Sequence, residues 1–305
     1  DGLNTAVGFE AGKGITTGTN NTLIGALAGD ALTVSVDNVA VGGSALSSDT
    51  KGQNSVAIGA GALQTQNFTT ATNAYNVAVG RSAGTAITTG IKNAMVGALA
   101  LNALTTGQEN VAIGHQALTT DTKGNRNVAV GANALDALNF TTATSSYNTA
   151  VGYSAGGAVT TGTNNTLIGG LAGDAIQSGG NNIIIGYVSD VSAADASTQF
   201  VLGHGVTSVG NGNFTFGDGT TDSNIANGAT SITAPSDQRY KEEITTSTAG
   251  LSFIKDLRPV TFKWKKEKDL PTSHRAYVEG SESRTINDYT NHGFVAQEVK
   301  TAIDA

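Results

Sequence analysis

Few residues of this chain have types and spacings that could carry chemistry. The densest polar group is SDQRYKEEI at 236–244, which holds the hydroxyl of Ser236 and the amine of Lys241. A serine hydroxyl becomes a nucleophile only where a base takes its proton, and a lysine amine is a base only when it is neutral. On these residues alone we favour Ser236–Asp237 as a helix N-cap, because both types suit that position.

Other kinds of chemistry find little support in the sequence. The chain has no cysteine, which excludes disulfides and thiolate metal sites. His115 and His204 stand in different registers of the repeat described below, so they suggest no metal ladder. Acidic residues in the repeat are too sparse to propose a pair of glycosidase carboxylates. We expect no metal and no other cofactor.

The charge distribution divides the chain near residue 235. Residues 236–305 hold eleven basic and eleven acidic residues, whereas residues 1–235 hold six and thirteen. This acidic balance argues against nucleic acid as a partner, since phosphate binding needs clustered Lys and Arg. The longest apolar run, at 183–188, is far shorter than the about 20 residues of a membrane helix, so no membrane span is expected. The first residue is Asp1 rather than Met, and we expect a fragment of a longer protein.

A repeat of 17 residues organises the first 205 residues. The glycine that closes each NVAVG-like unit recurs at steps of 17, 17, 17 and 21 residues, which together make a super-repeat of 72 residues. Such self-similarity is typical of a stacked solenoid. We number the units as coils 1–12 by their glycines, which are Gly8, Gly25, Gly42, Gly59, Gly80, Gly97, Gly114, Gly131, Gly152, Gly169, Gly186 and Gly203.

Each column of the repeat has its own residue type. The residue before the glycine is β-branched in eleven of twelve coils, and the residue before that is most often Ala. Because adjacent strand residues point to opposite faces, we expect one face in the coil's own core and the other, lined by small Ala side chains, against a neighbouring subunit. An Asn four residues before the glycine, in ten of twelve coils, predicts a ladder of stacked amides. The glycine itself predicts a positive φ or a close backbone approach.

Two insertions of four residues, within 67–75 and 139–147, give the long coils 5 and 9, which are closed by Gly80 and Gly152. Loops on a rigid scaffold often carry binding, and exposed aromatic side chains suit sugars. The alternative is that the rings plug the longer coil. The predicted receptor-contact residues in these loops are Phe68, Tyr75, Phe140 and Tyr147.

Two charged loops, SDTKGQN and TDTKGNR, lie one super-repeat apart. Each has an acidic residue followed two positions later by a lysine. The simplest interpretation is local ion pairing, of Asp49 with Lys51 and of Asp121 with Lys123.

The units NSVAIGAGAL (54–63) and NVAIGHQAL (110–118) resemble the head repeats of trimeric autotransporter adhesins, which form parallel β-rolls that associate as trimers. They are equally similar to the repeats of bacteriophage tail fibres. The resemblance implies a homotrimer, which would also cover the second apolar face and the open sheet edges.

Three blocks after residue 235 resemble a known domain. They are Ser236-Asp237-x-Arg239-x-Lys241, then Leu257-x-Pro259-Val260, then Gly293-Phe294-x-Ala296-Gln297-Glu298-Val299. In this order they are similar to the C-terminal intramolecular chaperone domain of phage tail spikes and fibres, the family classed as S74 peptidases. Members of that family usually continue beyond the last block, so we expect a C-terminal part to be missing after Ala305.

The resemblance implies a specific activity. Domains of this family trimerise, guide the folding of the β-structure before them, and then release themselves by cutting their own chain with a Ser-Lys dyad. Carried over, Ser236 is the nucleophile, Lys241 is the base and Pro235–Ser236 is the scissile bond, with Asp237 and Arg239 in supporting, ion-paired roles. No external substrate is implied.

The predicted protein is therefore mainly β. It has a parallel β-roll or β-helix solenoid at 1–205, an irregular β stem at 206–235 and a small α+β chaperone domain at 236–305. We expect a homotrimeric phage tail-fibre or tailspike segment in the virion that attaches to a host surface receptor, with a glycan as the candidate ligand. The alternative is a bacterial surface adhesin head without autoproteolysis. An ice-binding solenoid would need Thr pairs such as Thr16–Thr17 in every coil, and they do not recur so.

Overall fold

The computed structural model describes residues 2–229, 257–274 and 276–299. The chain divides into two compact units, Asp1–Ser236 and Asp237–Ala305. The described residues are mainly β-structure with very little helix, as predicted.

In the first unit every coil contributes one short strand to a single sheet. The strands are β1 (Thr5–Val7), β2 (Thr22–Ile24), β3 (Val39–Val41), β4 (Gly52–Gln53), β5 (Val56–Ile58), β6 (Thr72–Asn73), β7 (Val77–Val79), β8 (Ala94–Val96), β9 (Val111–Ile113), β10 (Gly124–Asn125), β11 (Val128–Val130), β12 (Thr144–Ser145), β13 (Thr149–Val151), β14 (Thr166–Ile168), β15 (Ile183–Ile185), β16 (Phe200–Gly203), β17 (Asn213–Gly217) and β18 (Ser223–Ala226). Fourteen of them form one sheet, in which neighbouring coils pair in parallel, while β4–β6 and β10–β12 form two small parallel pairs at the insertions. The predicted parallel solenoid is confirmed.

The repeat glycines bring neighbouring coils unusually close. All twelve have φ between 131° and 147°, a conformation that side chains rarely adopt. A Cβ atom on Gly97 would lie 2.4 Å from the carbonyl oxygen of Gly114, and the other members of the column meet the glycine of the next coil in the same way. The prediction of a positive φ and a close approach is therefore confirmed.

The asparagine column forms the predicted ladder inside the coils. The side-chain amide nitrogen of Asn110 donates to Oδ1 of Asn93 at 3.1 Å and to the carbonyl oxygen of Gly124 at 2.9 Å. Its backbone nitrogen also donates to Oδ1 of Asn93, at 3.0 Å. Because the side chains are fully buried, these bonds remove the cost of leaving polar groups unpaired in the core.

The two faces of the sheet are reversed relative to the prediction. Ala40, Ala57 and Ala112, two residues before the glycine, are fully buried in the coil's own interior. The β-branched residues one position later point outward, and Ile113 keeps 41% of its surface exposed. The expectation that the Ala face would pack on a neighbouring subunit was wrong, because the coil is narrow and takes the smaller side chains inside.

The narrow interior is filled by side chains of complementary size. Where a larger residue replaces the inward Ala, a glycine four positions after a repeat glycine leaves room for it. A Cβ atom on Gly84 would lie 2.7 Å from Sδ of Met95, and one on Gly29 would lie 2.8 Å from Cδ2 of Leu23. Each coil is thus packed to a fixed volume, as expected of a close-packed core.

The segment predicted as a stem continues the solenoid before it changes. Strand β17 pairs in parallel with β16 and adds a thirteenth rung, and β18 then pairs antiparallel with β17. The rings of Phe200 and Phe214 meet edge to face at 4.6 Å between centroids. The repeat signal fades here because the coil shortens to fourteen residues, as the register of Phe200 opposite Phe214 shows.

The second unit contains a small antiparallel pair, β19 (Val260–Phe262) with β20 (Asn291–Gly293). A 3₁₀ turn spans Glu267–Asp269, and residues 296–299 are helical. Strand β19 overlaps TFKW at 261–264, which the sequence predicts as a strand. The segment 247–258, whose apolar spacing predicts a helix that ends at Pro259, lies almost wholly outside the described residues.

We predict that Gly97→Ala destabilises the solenoid whereas Gly43→Ala does not. A Cβ atom at residue 97 would collide with Gly114, at a left-handed φ, and we expect a loss of about 2–3 kcal/mol in the free energy of unfolding. A Cβ atom at residue 43 would lie 4.0 Å from the carbonyl oxygen of Ala26 and would meet nothing closer outside its chain neighbours. Chemical denaturation of both variants checks this, and equal midpoints would contradict the role given to the glycine column.

Candidate functional site

The residues predicted to cut the chain lie outside the described residues. They are Pro235, Ser236, Asp237, Arg239 and Lys241. The self-cleavage prediction therefore stays a prediction. What the structure describes is the remainder of the second unit and the surface of the solenoid.

The second and third sequence blocks of the C-terminal unit come together in space. Val260 lies opposite Gly293 in the β19–β20 pair. The guanidinium of Arg258 donates two hydrogen bonds to the carboxylate of Glu298, at 3.1 and 2.5 Å. These bonds hold the pKa of Glu298 below its usual value. A two-point Arg–carboxylate pair fixes orientation as well as distance, so it positions the helical residues 296–299 against the start of β19.

A second charged cluster ties together the arm between β19 and β20. Lys266 and Lys268 both donate to the carboxylate of Glu282, whose pKa they lower to about 2. The guanidinium of Arg284 donates to the carbonyl oxygen of Trp264 at 2.6 Å. The basic cluster KWKKEK at 263–268 is thus partly neutralised within its own unit.

The outward face of the solenoid is a continuous apolar surface. It consists of the residues one and three positions before each repeat glycine. Several are large and partly exposed, namely Ile24, Ile58, Val77, Val96, Ile113, Val151, Ile168, Ile183 and Leu202. Contiguous exposed apolar surface of this extent is typical of an interaction site. We call it the outward face.

The aromatic residues of the insertions divide into two kinds. Phe68 and Phe140 are buried, with 6% and 8% of their surface exposed, so these rings plug the long coils and are not on the surface. Tyr75 and Tyr147 are exposed, at 52% and 50%. The two Phe rings therefore follow the alternative interpretation of the sequence, in which the rings plug the longer coils. Receptor contact stays a prediction for the two Tyr.

The two acidic loop residues anchor the insertions. Asp49 and Asp121 are fully buried, and Oδ1 of Asp121 accepts hydrogen bonds from the backbone nitrogens of Gly124 and Phe140, at 2.9 and 3.1 Å. Asp49 binds the equivalent nitrogens of Gly52 and Phe68. The predicted ion pairs were wrong, because each carboxylate points into the coil and binds backbone N–H groups instead of the nearby lysine.

The two copies of this anchor differ in one respect. In the first copy Gln66 donates to Oδ2 of Asp49 at 2.7 Å and accepts from the amide of Asn76 at 2.8 Å. In the second copy Leu138 occupies the position of Gln66, and no described residue donates to the buried Oδ2 of Asp121. Burial raises the pKa of Asp121. Gln66 also faces Ser55, which replaces an Asn of the ladder, so the glutamine fills the resulting gap.

One further carboxyl pair, Asp174 and Asp190, lies in coils 11 and 12. Burial and the neighbouring carboxyl of Asp174 raise the pKa of Asp190 to about 6. Oδ2 of Asp190 accepts the backbone N–H of Ala175 at 2.8 Å. A pair of carboxyls on adjacent rungs ionises reluctantly, because like charges repel at short distance.

A column of exposed residues lies five positions before the repeat glycines. All twelve have a positive φ, so the backbone displays each side chain in the same way in every coil. At both ends of the solenoid the column is mostly Asn or Asp, the types that tolerate this conformation best. In coils 5–9 it changes to Tyr75, Lys92, Glu109, Arg126 and Tyr147. We call these five residues the ridge.

Four side chains of the ridge, from Lys92 to Tyr147, are linked by hydrogen bonds and ion pairs. Nε of Arg126 donates to Oε2 of Glu109 at 2.8 Å. Nη1 of Arg126 donates to the hydroxyl of Tyr147 at 3.0 Å and to the hydroxyl of Ser145 at 2.9 Å. The guanidinium carbon lies 5.5 Å from the centroid of the Tyr147 ring. Lys92 Nζ is 3.8 Å from Glu109. Sequence inspection found the two Tyr but missed the three charged residues, whose common register with them was visible in the 17-residue spacing.

Comparison with known protein families gives one match, which covers the C-terminal unit. Residues 236–305, less than a quarter of the chain, match the Peptidase_S74 family model, described as chaperone of endosialidase. The chain therefore ends in an S74-type domain, and such a domain behind a β-solenoid fits a phage tail fibre. Neither the curated proteins nor the solved structures gave a significant match. Among the described residues, no helix is long and apolar enough to cross a membrane.

We predict that Gln66→Leu, which copies residue 138, destabilises the solenoid. It removes the donor to Asp49 Oδ2 and the acceptor for Asn76, so we expect a loss of about 1–3 kcal/mol in the free energy of unfolding. Gln64→Leu, a matched change at a half-buried position two residues away, should have little effect. Denaturant titration compares the two, and equal losses would disprove the buried network.

Proposed function

We propose that this chain is a structural and host-attachment segment of a phage tail fibre or spike, located in the virion. The C-terminal domain assists folding of a trimer and then releases itself by cutting before Ser236. The observation that carries this proposal is the S74-type match at 236–305, directly after a parallel β-solenoid. The proposed divisions are a repeat region at 1–205, a connecting segment at 206–235 and the chaperone domain at 236–305.

The outward face supports self-association. Its Val, Ile and Leu side chains keep roughly two fifths of their surface exposed in an isolated chain. Burying apolar surface contributes about 25 cal/mol per Å², so covering a face that extends over twelve coils is strongly favourable. A trimer hides this face on all three copies at once, and S74-type domains are associated with trimeric fibre proteins.

The proposed cleavage needs only groups of the chain itself and one water molecule. The Oγ atom of Ser236 attacks the carbonyl carbon of Pro235 while Lys241 takes the hydroxyl proton. The Pro235–Ser236 peptide bond breaks, its nitrogen leaves as an amine after gaining a proton, and the ester formed on Oγ is hydrolysed by water. Lys241 acts as the base only if desolvation or nearby positive charge lowers its pKa. Asp237 and Arg239 are assigned supporting roles.

Attachment is proposed for the exposed tyrosines of the insertions. Tyr75 and Tyr147 stand at the same register, one super-repeat apart, and each is half exposed. They immediately follow the inserted residues, on a backbone held by parallel hydrogen bonds to neighbouring coils. Exposed aromatic side chains on a rigid scaffold favour recognition of a host surface receptor.

We predict that the natural protein, expressed with its full C-terminus, yields two pieces on a denaturing gel. Ser236→Ala should leave one full-length band because it removes the nucleophile, and Lys241→Met should slow cleavage by several orders of magnitude because it removes the base. Mass spectrometry should place the new terminus at Ser236.

The matched control for this experiment is Ser252→Ala, a serine of the same domain outside the three sequence blocks. It should cleave like the natural protein. Identical full-length bands for all variants would refute self-cleavage, and a new terminus at another residue would refute the assignment of Ser236.

We predict that Ile113→Glu on the outward face prevents trimer formation. Ile113 is 41% exposed in the isolated chain, so the change should leave the coil intact but would bury three carboxylates between subunits. Light scattering of the Ser236→Ala protein measures the mass. Thr106→Glu, at an exposed position of the same coil outside this face, should remain trimeric. A natural protein that is monomeric, or an unaffected Ile113→Glu trimer, contradicts the assigned interface.

A further inference from the structure

The ridge differs from the rest of its column in a way that packing does not require. Twelve residues share one backbone conformation, and Asn or Asp serve at most of the other positions. Only coils 5–9 carry two exposed aromatic rings with three charged side chains between them. The rings are retained at the same place in both super-repeats, while the neighbouring residues change from Asn54 and Asn73 to Arg126 and Ser145.

The ridge also has a regular length scale. Neighbouring coils of a parallel sheet are about 4.8 Å apart, so the four steps from Tyr75 to Tyr147 span about 19 Å. An extended chain of pyranose sugars advances by a similar distance with each ring. A linear chain of five sugars laid along the stack would therefore place about one ring at each rung.

The side chains of the ridge suit that ligand chemically. A sugar ring has an apolar face of C–H groups, which packs on a flat tyrosine ring, and an equatorial edge of hydroxyls. Arg126 is held by Glu109, Ser145 and Tyr147, so its planar group is fixed in orientation. Lys92 and the carboxylate of Glu109 add a donor and an acceptor between the two rings. Fixed polar groups recognise hydroxyls at a small entropic cost.

Other classes of partner fit the ridge less well. A stable protein interface buries about 800 Å² on each side, which a single column of five side chains does not offer. The ridge has one net positive charge within an acidic repeat, far from the clustered Lys and Arg that bind a nucleic acid backbone.

We propose that the ridge binds a linear oligosaccharide parallel to the solenoid axis, with Tyr75 and Tyr147 stacking on sugar rings at its two ends and Lys92, Glu109 and Arg126 binding hydroxyls between them. This inference rests on the proposed attachment role and deepens it by naming a site and a ligand class. It predicts a length requirement, since a chain shorter than five sugars cannot place a ring on both tyrosines.

The test uses the full chain with Ser236→Ala, so that both units stay joined. The probes are linear chains of one to six sugars, in three series built from glucose, from N-acetylglucosamine and from galacturonic acid. A printed slide identifies the series that binds, and titration calorimetry gives its affinity. We expect pentasaccharides or longer chains to bind at least tenfold more tightly than disaccharides, and Tyr147→Ala and Arg126→Ala each to weaken binding at least tenfold.

The matched control is Tyr153→Ala, a comparably exposed tyrosine of the next coil that lies outside the ridge. It should bind like the parent chain, and circular dichroism should be unchanged in every variant. Three results overturn the proposal: no series binds, affinity does not depend on length, or Tyr153→Ala loses as much as Tyr147→Ala. Trimer mass and cleavage are read separately, so a chain that assembles and cuts itself but binds no sugar refutes the ridge and leaves the proposed assembly standing.

Discussion

The close approach of successive coils at the repeat glycines is the constraint on which the rest of the solenoid depends. A Cβ atom in this column would lie 2.7 Å or less from the carbonyl oxygen of the next glycine. Only glycine fits, so the strands of neighbouring coils pair with their repeat glycines side by side. Once that register is set, every other column aligns, and the buried Asn amides can bond from one coil to the next. The alignment of exposed side chains along the stack has the same origin.

The sequence predicts this architecture well because period and residue type report the same register. The spacing of the glycines gave the coils, and the asparagine column gave the ladder. Strand alternation could not decide which face is inside, since Ala and Val are both apolar. The missing signal was the exchange of side-chain volume between two columns. The large Met95 faces Gly84, whereas Ala112 in coil 7 has the large Leu101 at the place of that glycine. Such exchange occurs only between residues that share one core.

The candidate sites were less predictable for a related reason. Phe68 and Tyr75 belong to the same insertion, and nothing in their spacing indicates that one ring enters the coil while the other stays outside. Asp49 was paired with Lys51 because they are close in sequence, but the buried carboxylate binds backbone N–H groups instead. Composition and charge pattern do not show which backbone N–H groups will face a buried carboxylate. The assignment of Ser236 and Lys241 rests on family resemblance, because an isolated Ser and Lys carry no geometric information.

A regular stack also creates a folding problem that gives the C-terminal domain a physical purpose. Rungs as alike as NVAVG at 38–42 and 127–131 pair almost equally well in several registers, so a slip of one coil costs little. The long coils 5 and 9 reduce the number of equivalent alignments, since a 21-residue coil matches its own kind only after 72 residues. Within one chain, connectivity excludes most slips. Between the chains of the proposed trimer it would not, because each chain could be displaced along the others with its apolar face still covered. A C-terminal domain that associates first would hold the chain ends level, and the solenoids could then join in a single register. Such a domain would be needed only during assembly, so its proposed release afterwards need not reduce the stability of the solenoid.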